Sequence, residues 1–239
     1  MIRLLAGGLV AGFVAGLFAA ALHFFLVQDL ILESELYESG EKVHFQQAAP
    51  QAGHGDAAQV GHDHASHDHD TSDAGALSRN ALTWLFAGVI YAGYGLMLAA
   101  AYQLARLLGF EVTLARGVLW GLAGFVTFQM APAIGLAPNL PGTVSADITD
   151  RQIWWFGTMV ATGAGLALIA YGRSLGLVAL AVLLIALPHV IGAPALDTFY
   201  GVAPPEIAAT FATRVLGIGL AAWVVLGCLT ARLTAPQTA

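Results

Sequence analysis

The sequence predicts an all-α, polytopic integral membrane protein of about six transmembrane helices arranged as three hairpins, with a disordered His/Asp-rich outer loop. Three observations carry that expectation. Apolar residues make up 58 % of the 239 residues. Charged residues make up only 10 %, against about a quarter in a soluble domain, which excludes an ordinary water-soluble fold. The apolar residues also gather into runs near the roughly 20 residues that a bilayer crossing requires. These runs are 4–27, 81–104, 114–136, 153–171, 175–193 and 209–230. The chain 1–239 reads as a single membrane domain, with 39–78 as the outer loop within it.

The first run is too long for a signal peptide, whose apolar region spans about 7–15 residues, so it is expected to remain as a helix. Gly8, Gly12 and Gly16 recur every fourth residue along it, and small residues let helix backbones approach closely in a membrane. It ends in a polar cluster of His23, Gln28, Asp29, Glu33, Glu35 and Glu38. Asp29 and Glu33 share a face if the helix continues, giving either a solvated rim or a vestibule that attracts cations.

Residues 54–73 hold five histidines and five aspartates with hardly an apolar side chain, a composition that cannot form a core. His62, His64, His67 and His69, with Asp63, Asp68 and Asp70 between them, offer imidazole and carboxylate ligands to a first-row divalent cation. Such a loop does not name its metal.

The third and fifth runs end alike, in Gln129-Met130-Ala131-Pro132 through Pro138 and in Leu187-Pro188-His189 through Pro194, each with two prolines six apart around a glycine. Proline lacks an N–H and crowds the carbonyl four residues earlier. The carbonyls of Phe128 and Leu184 are thus expected to lose their helical partners, and the fifth helix to break at Pro188 in the outer leaflet. Interrupted helices at corresponding positions point to a transporter's substrate site. Gln129, Met130 and His189 are the side chains at these breaks, and His189 is an ionisable group at membrane depth. Arg79, Arg151 and Arg214 stand near the outer starts of the even-numbered helices, and Asp197 is the expected partner of Arg214. Cys228, the single cysteine, excludes an intrachain disulfide.

With both termini inside, the inner segments carry Arg3, Arg106, Arg116, Arg173 and Arg232 against Glu111 alone, and the basic residues sit close to span ends, as the positive-inside rule asks. No enzyme is expected. Gly172-Arg173-Ser174-Leu175-Gly176 matches a hydrolase pattern, but it lies in a turn between apolar helices instead of the strand-to-helix elbow that the chemistry needs.

The glycine-rich first helix running into LVQDLILESELYE, the central GLAPNLPGTVSADITDRQIWW and the late LPHVIGAP together resemble the CbtA family of cobalt transporter subunits. The resemblance spans nearly the whole chain outside the histidine loop. It implies a multi-pass protein of the bacterial inner membrane, working beside a small one-helix, histidine-bearing subunit, CbtB, in cobalt uptake linked to cobalamin synthesis. The expected cargo is cobalt, with nickel second. No resident cofactor and no nucleic-acid partner are expected, lipid is the surrounding partner, and self-association is left open. The reading is a metal-uptake subunit in which the loop and the acidic rim collect the ion and the broken helices bind it in passage. Its rival is a sensor or assembly protein that binds metal outside without moving it.

Overall fold

The computed structural model describes residues 2–44, 73–198 and 201–235, with only the backbone described over 73–79. His62, His64, His67, His69, Asp63 and Asp68 therefore lie outside the described residues. The described residues form helices and no strand: α1 (Ile2–Leu26), α2 (Gln28–Glu38), α3 (Asp73–Leu107), α4 (Leu114–Phe125), a π-helical turn (Val126–Met130), α5 (Ala131–Gly135), α6 (Ile148–Tyr171), α7 (Leu175–Ile191) and α8 (Pro205–Leu233). Five spans are long and apolar enough to cross a membrane, with α4, the π turn and α5 counting as one; α7, at 17 residues, is the shorter sixth. At 1.5 Å per residue α7 covers about 25 Å, short of a hydrocarbon core of about 30 Å.

Glycines set the closest helix contacts. A Cβ on Gly8 would meet the Gly95 carbonyl at 2.9 Å, and one on Gly12 or Gly16 would run into the backbone of α3 at Tyr91 or Ala87. The descending partner numbers make α1 and α3 antiparallel, as expected of the first hairpin. A second glycine seam, Gly117 and Gly121 of α4 against Gly227 and Trp223 of α8, brings those two helices together in the same manner. Of the other two expected hairpins, α6 does meet the third span at its π turn and α5, though less closely than α6 meets α7, while α7 and α8 scarcely touch among the described residues. The third span packs on α8, and α6 packs on α7, where Gly165 makes room for Ile185. A connecting loop makes helices consecutive, but the small-residue faces decide which ones touch.

The core of the α1–α3–α4–α8 bundle is built from Ala11, Ala15, Leu98, Tyr102, Phe125, Trp223 and Leu226. Tyr102, fully buried, donates its hydroxyl proton to the Gly227 carbonyl at 2.9 Å. Apolar side chains such as Phe25, Phe86, Leu183 and Val190 are exposed around the outside, as a lipid-facing surface requires.

Contacts between helix ends sort the charges. The start of α1 meets the end of α8 at Leu233, Arg106 of α3 donates to Thr234 at 3.3 Å, and Phe110 packs on Tyr171 of α6. This basic end carries Arg3, Arg106, Arg116, Arg173 and Arg232. At the opposite, acidic end lie α2, the loop 136–147 and the starts of α6 and α8. Leu140 is buried there beside Val27, and Gly142, at φ +73°, sits against the Glu38 carboxylate. Asp147 caps α6, accepting the N–H groups of Thr149 and Asp150 at 2.8 and 3.4 Å.

Arg214 does not pair with Asp197. A kink at Val27 turns the Leu30 N–H to the Val27 carbonyl. The Leu26 carbonyl is thereby freed, and Arg214 donates to it at 2.6 Å. That carbonyl takes one of the guanidinium's five N–H donors, and no carboxylate pairs with Arg214 among the described residues.

Candidate functional site

The proline at the end of the third span is accommodated by winding. Over Val126–Met130 the helix widens to π geometry, and the Ala131 N–H reaches the Val126 carbonyl five residues back. Single π turns of this kind are common at functional sites. In α7, by contrast, the helix does not break at Pro188. It runs on to Ile191 and stops at Gly192, whose φ of +89° only glycine adopts readily. The expected break is thus displaced by four residues, because a proline removes one bond of the ladder while the following N–H groups can still pair.

Trp154 of α6 fastens the two ends together. Its Nε1–H donates to the Pro188 carbonyl at 3.1 Å, its ring meets the His189 ring edge-on with centroids 5.9 Å apart, and its far edge lies against Gly135. The Pro188 carbonyl also accepts the Gly192 N–H at 3.0 Å. The DRQIWW and LPHVIGAP segments, distant in the chain, are therefore one structural unit.

Between the π turn, α6 and α7 lies a cavity of about 400 Å³ bordered by Met130, Thr162 and His189, with Val126, Ile185 and Ala186 supplying apolar wall. Thr162 is fully buried, yet its Oγ1 has no hydrogen-bond partner among the described residues. Thr158, one turn earlier, bonds the Trp154 carbonyl at 2.8 Å in the usual back-bonding manner. The cavity is thus bordered by a thioether and an imidazole side chain, while its exposed lining is almost wholly apolar and the Thr162 hydroxyl is buried away from it. The thioether and imidazole suit a transition metal better than magnesium or calcium, which favour carboxylates and carbonyls.

Two of the expected site residues, Met130 and His189, therefore converge. Gln129, on the other side of the π turn, fills the space left by Gly219 of α8 and reaches the Tyr91 hydroxyl. Its Oε1 is buried without a partner. Phe128 stacks on Trp223 at a centroid distance of 5.4 Å, which places that position in the bundle core. His23 is half-buried on α1, Asp29 is exposed on α2, and Glu33 pairs with Lys42 at 2.7 Å. Among the described residues, no three His, Cys, Asp or Glu side chains cluster tightly enough to hold a metal ion. Trp154 and Thr162 were not foreseen; a lone tryptophan or threonine in an apolar run carries no spacing signal.

Comparison with curated proteins gives no match. Comparison with solved structures gives none either. The family model described as "Probable cobalt transporter subunit (CbtA)" matches residues 1–235, taking in every helix and both of the helix ends that meet at Trp154. Its extent over the chain shows that this protein belongs to the CbtA family.

Proposed function

We propose that this chain is the membrane subunit of a divalent transition-metal uptake system, with cobalt as cargo, nickel as second choice and Met130 and His189 on the ion's route. The observation that carries the reading is the convergence of those two residues on one cavity, beside a π turn and a shortened helix. The acidic end, with Asp29, Glu33 and the His62–His69 segment, faces outward and supplies ions. The basic end and both termini face the cytoplasm of a bacterial inner membrane, as the arginine distribution favours.

Among the described residues no carboxylate lines the cavity. Met130 and His189 alone leave a dication short of ligands and without a counter-charge, at a depth where an unpaired ion is costly. Further ligands must come from elsewhere, and a small histidine-bearing partner helix of the CbtB type laid against the exposed Met130–Ile134 face would bring them. The cobalamin link follows from the same family reading.

The test is uptake of radioactive cobalt into sealed vesicles holding this chain alone or with the small subunit. Uptake above empty vesicles, increased several-fold by the partner and resistant to excess magnesium, is the expected result. Tight metal binding without uptake in either preparation would transfer the assignment to an outer-face sensor.

A further inference from the structure

A second and larger cavity, of about 510 Å³, adjoins the first at Leu166 and is lined by none of the residues proposed for the metal. Its floor is one face of α4 and the π turn that follows, where Arg116, Trp120, Ala123 and Thr127 stand in succession, and Trp223 of α8 closes its depth. Its walls are Met97 and Ala101 of α3 on one side and Gly163, Ala167 and Tyr171 of α6 on the other. α3 and α6 scarcely touch, so the space between them is a cleft open sideways toward the lipid. From Arg116 to Thr127 the floor runs about 16 Å at 1.5 Å per residue.

The charged groups are confined to one end. Arg116 stands at the mouth, at the basic end of the molecule, donating at 2.5 Å to the main-chain carbonyl of Glu111. No carboxylate is within ion-pair distance of Arg116 among the described residues, so its charge is not neutralised by Glu111. Tyr171 is close enough to Arg116 to interact with its charge, and Arg173 follows two residues on. Deeper in, the lining is almost wholly apolar, which suits neither a hydrated cation nor a polar solute, since either would lose its water without replacement.

We propose that this cleft binds one anionic phospholipid of the leaflet at the basic end, its phosphate at Arg116 and Tyr171 and one acyl chain between α3 and α6. Glu111 also lines the mouth, but Arg116 and the following Arg173 leave this end net basic, and with the apolar depth that balance selects an amphiphile with an anionic head. A basic residue at the edge of a helix cleft is the usual recognition element for such a lipid. The lipid would brace α6, and with it α7, against the α1–α3–α4–α8 bundle at a place where protein contacts are sparse.

The experiment is native mass spectrometry on the full chain released from vesicles containing equal amounts of phosphatidylglycerol and phosphatidylcholine. One retained phosphatidylglycerol is expected, favoured roughly fivefold over phosphatidylcholine, the preference one basic residue gives at an anionic surface. Arg116→Gln should equalise the two lipids, and Ala123→Trp, which fills the floor, should abolish retention. Circular dichroism and gel filtration check the fold of each variant; if Ala123→Trp misfolds, Arg116→Gln still decides. Retention of neither lipid or of both equally by the unaltered protein would overturn the proposal, as would an undiminished preference in Arg116→Gln.

Discussion

Gly12 leaves no room for a methyl group, because a Cβ there would collide with the Tyr91 carbonyl and the Ala92 backbone of α3. Gly12→Ala must push the helices apart, and overpacking of this kind costs about 1–3 kcal/mol. Thermal unfolding in detergent should show the loss, while Gly93→Ala, with nothing within 4 Å of its new Cβ, should unfold like the parent. Asp147 provides a pH-dependent counterpart. Backbone N–H bonds from Thr149 and then Asp150 hold its carboxyl below the usual aspartate range. Its capping contribution is therefore complete above the ordinary aspartate pKa and is lost as pH falls through the lowered value in the fold. Protection of the amides at the start of α6, read as the ratio of intrinsic to observed exchange rate, should fall at that acidic pH, and Asp147→Ala should show the reduced protection already at neutral pH. Single residues were unevenly legible in the sequence. Gly8, Gly12 and Gly16 announced their role by spacing, and Met130 and His189 by their prolines. Thr162 and Trp154 were hidden, because their importance lies in partners from other helices.

At the level of elements, the two proline-bearing ends solve one problem by different means, a π turn before Pro132 and a helix that bends past Pro188 to Gly192. Restoring an N–H at position 188 supplies the Leu184 carbonyl with its helical partner and straightens α7. Pro188→Ala is accordingly expected to insert normally but to swing His189 from the cavity, lowering cobalt uptake several-fold at unchanged expression. Trp154→Phe keeps a ring beside His189 but removes the donor to the Pro188 carbonyl, a loss of about 0.5–1.5 kcal/mol that should lower the unfolding temperature. The apolar spans were plain in the sequence to within a few residues, apart from α3, which begins eight residues earlier than the 81–104 run. The manner of each interruption was not legible. Proline dictates which bond is lost, whereas the packing of Trp154 and Ala193 around Gly135 decides where the chain turns.

For the whole molecule, the charge balance of its two ends orients it: Arg3, Arg106, Arg116, Arg173 and Arg232 face only Glu111 at one end, whereas acids predominate at the other beside Arg151 and Arg214. Single cysteines placed in a Cys228→Ser background should react with an impermeant thiol reagent from outside at 137–147 and not at position 173; labelling at 173 in intact cells would invert the orientation. Charge made this axis readable from the sequence. Lateral order was not readable, since the pairing of α4 with α8 depends on how Gly117 and Gly121 face Gly227, with three other helices between them in the sequence. The central claim is that Met130 and His189 line the path while the acidic end and the segment 54–73 only gather ions. A collector raises local ion concentration, whereas a ligand on the path replaces hydration water during passage. The most direct test is the initial rate of cobalt uptake into sealed vesicles against cobalt concentration, for His189→Ala and for the deletion of 54–73. The account predicts that His189→Ala lowers the maximal rate at least tenfold, and that the deletion raises the concentration for half-maximal uptake with the maximal rate preserved. A normal maximal rate in His189→Ala, at normal expression, would contradict it.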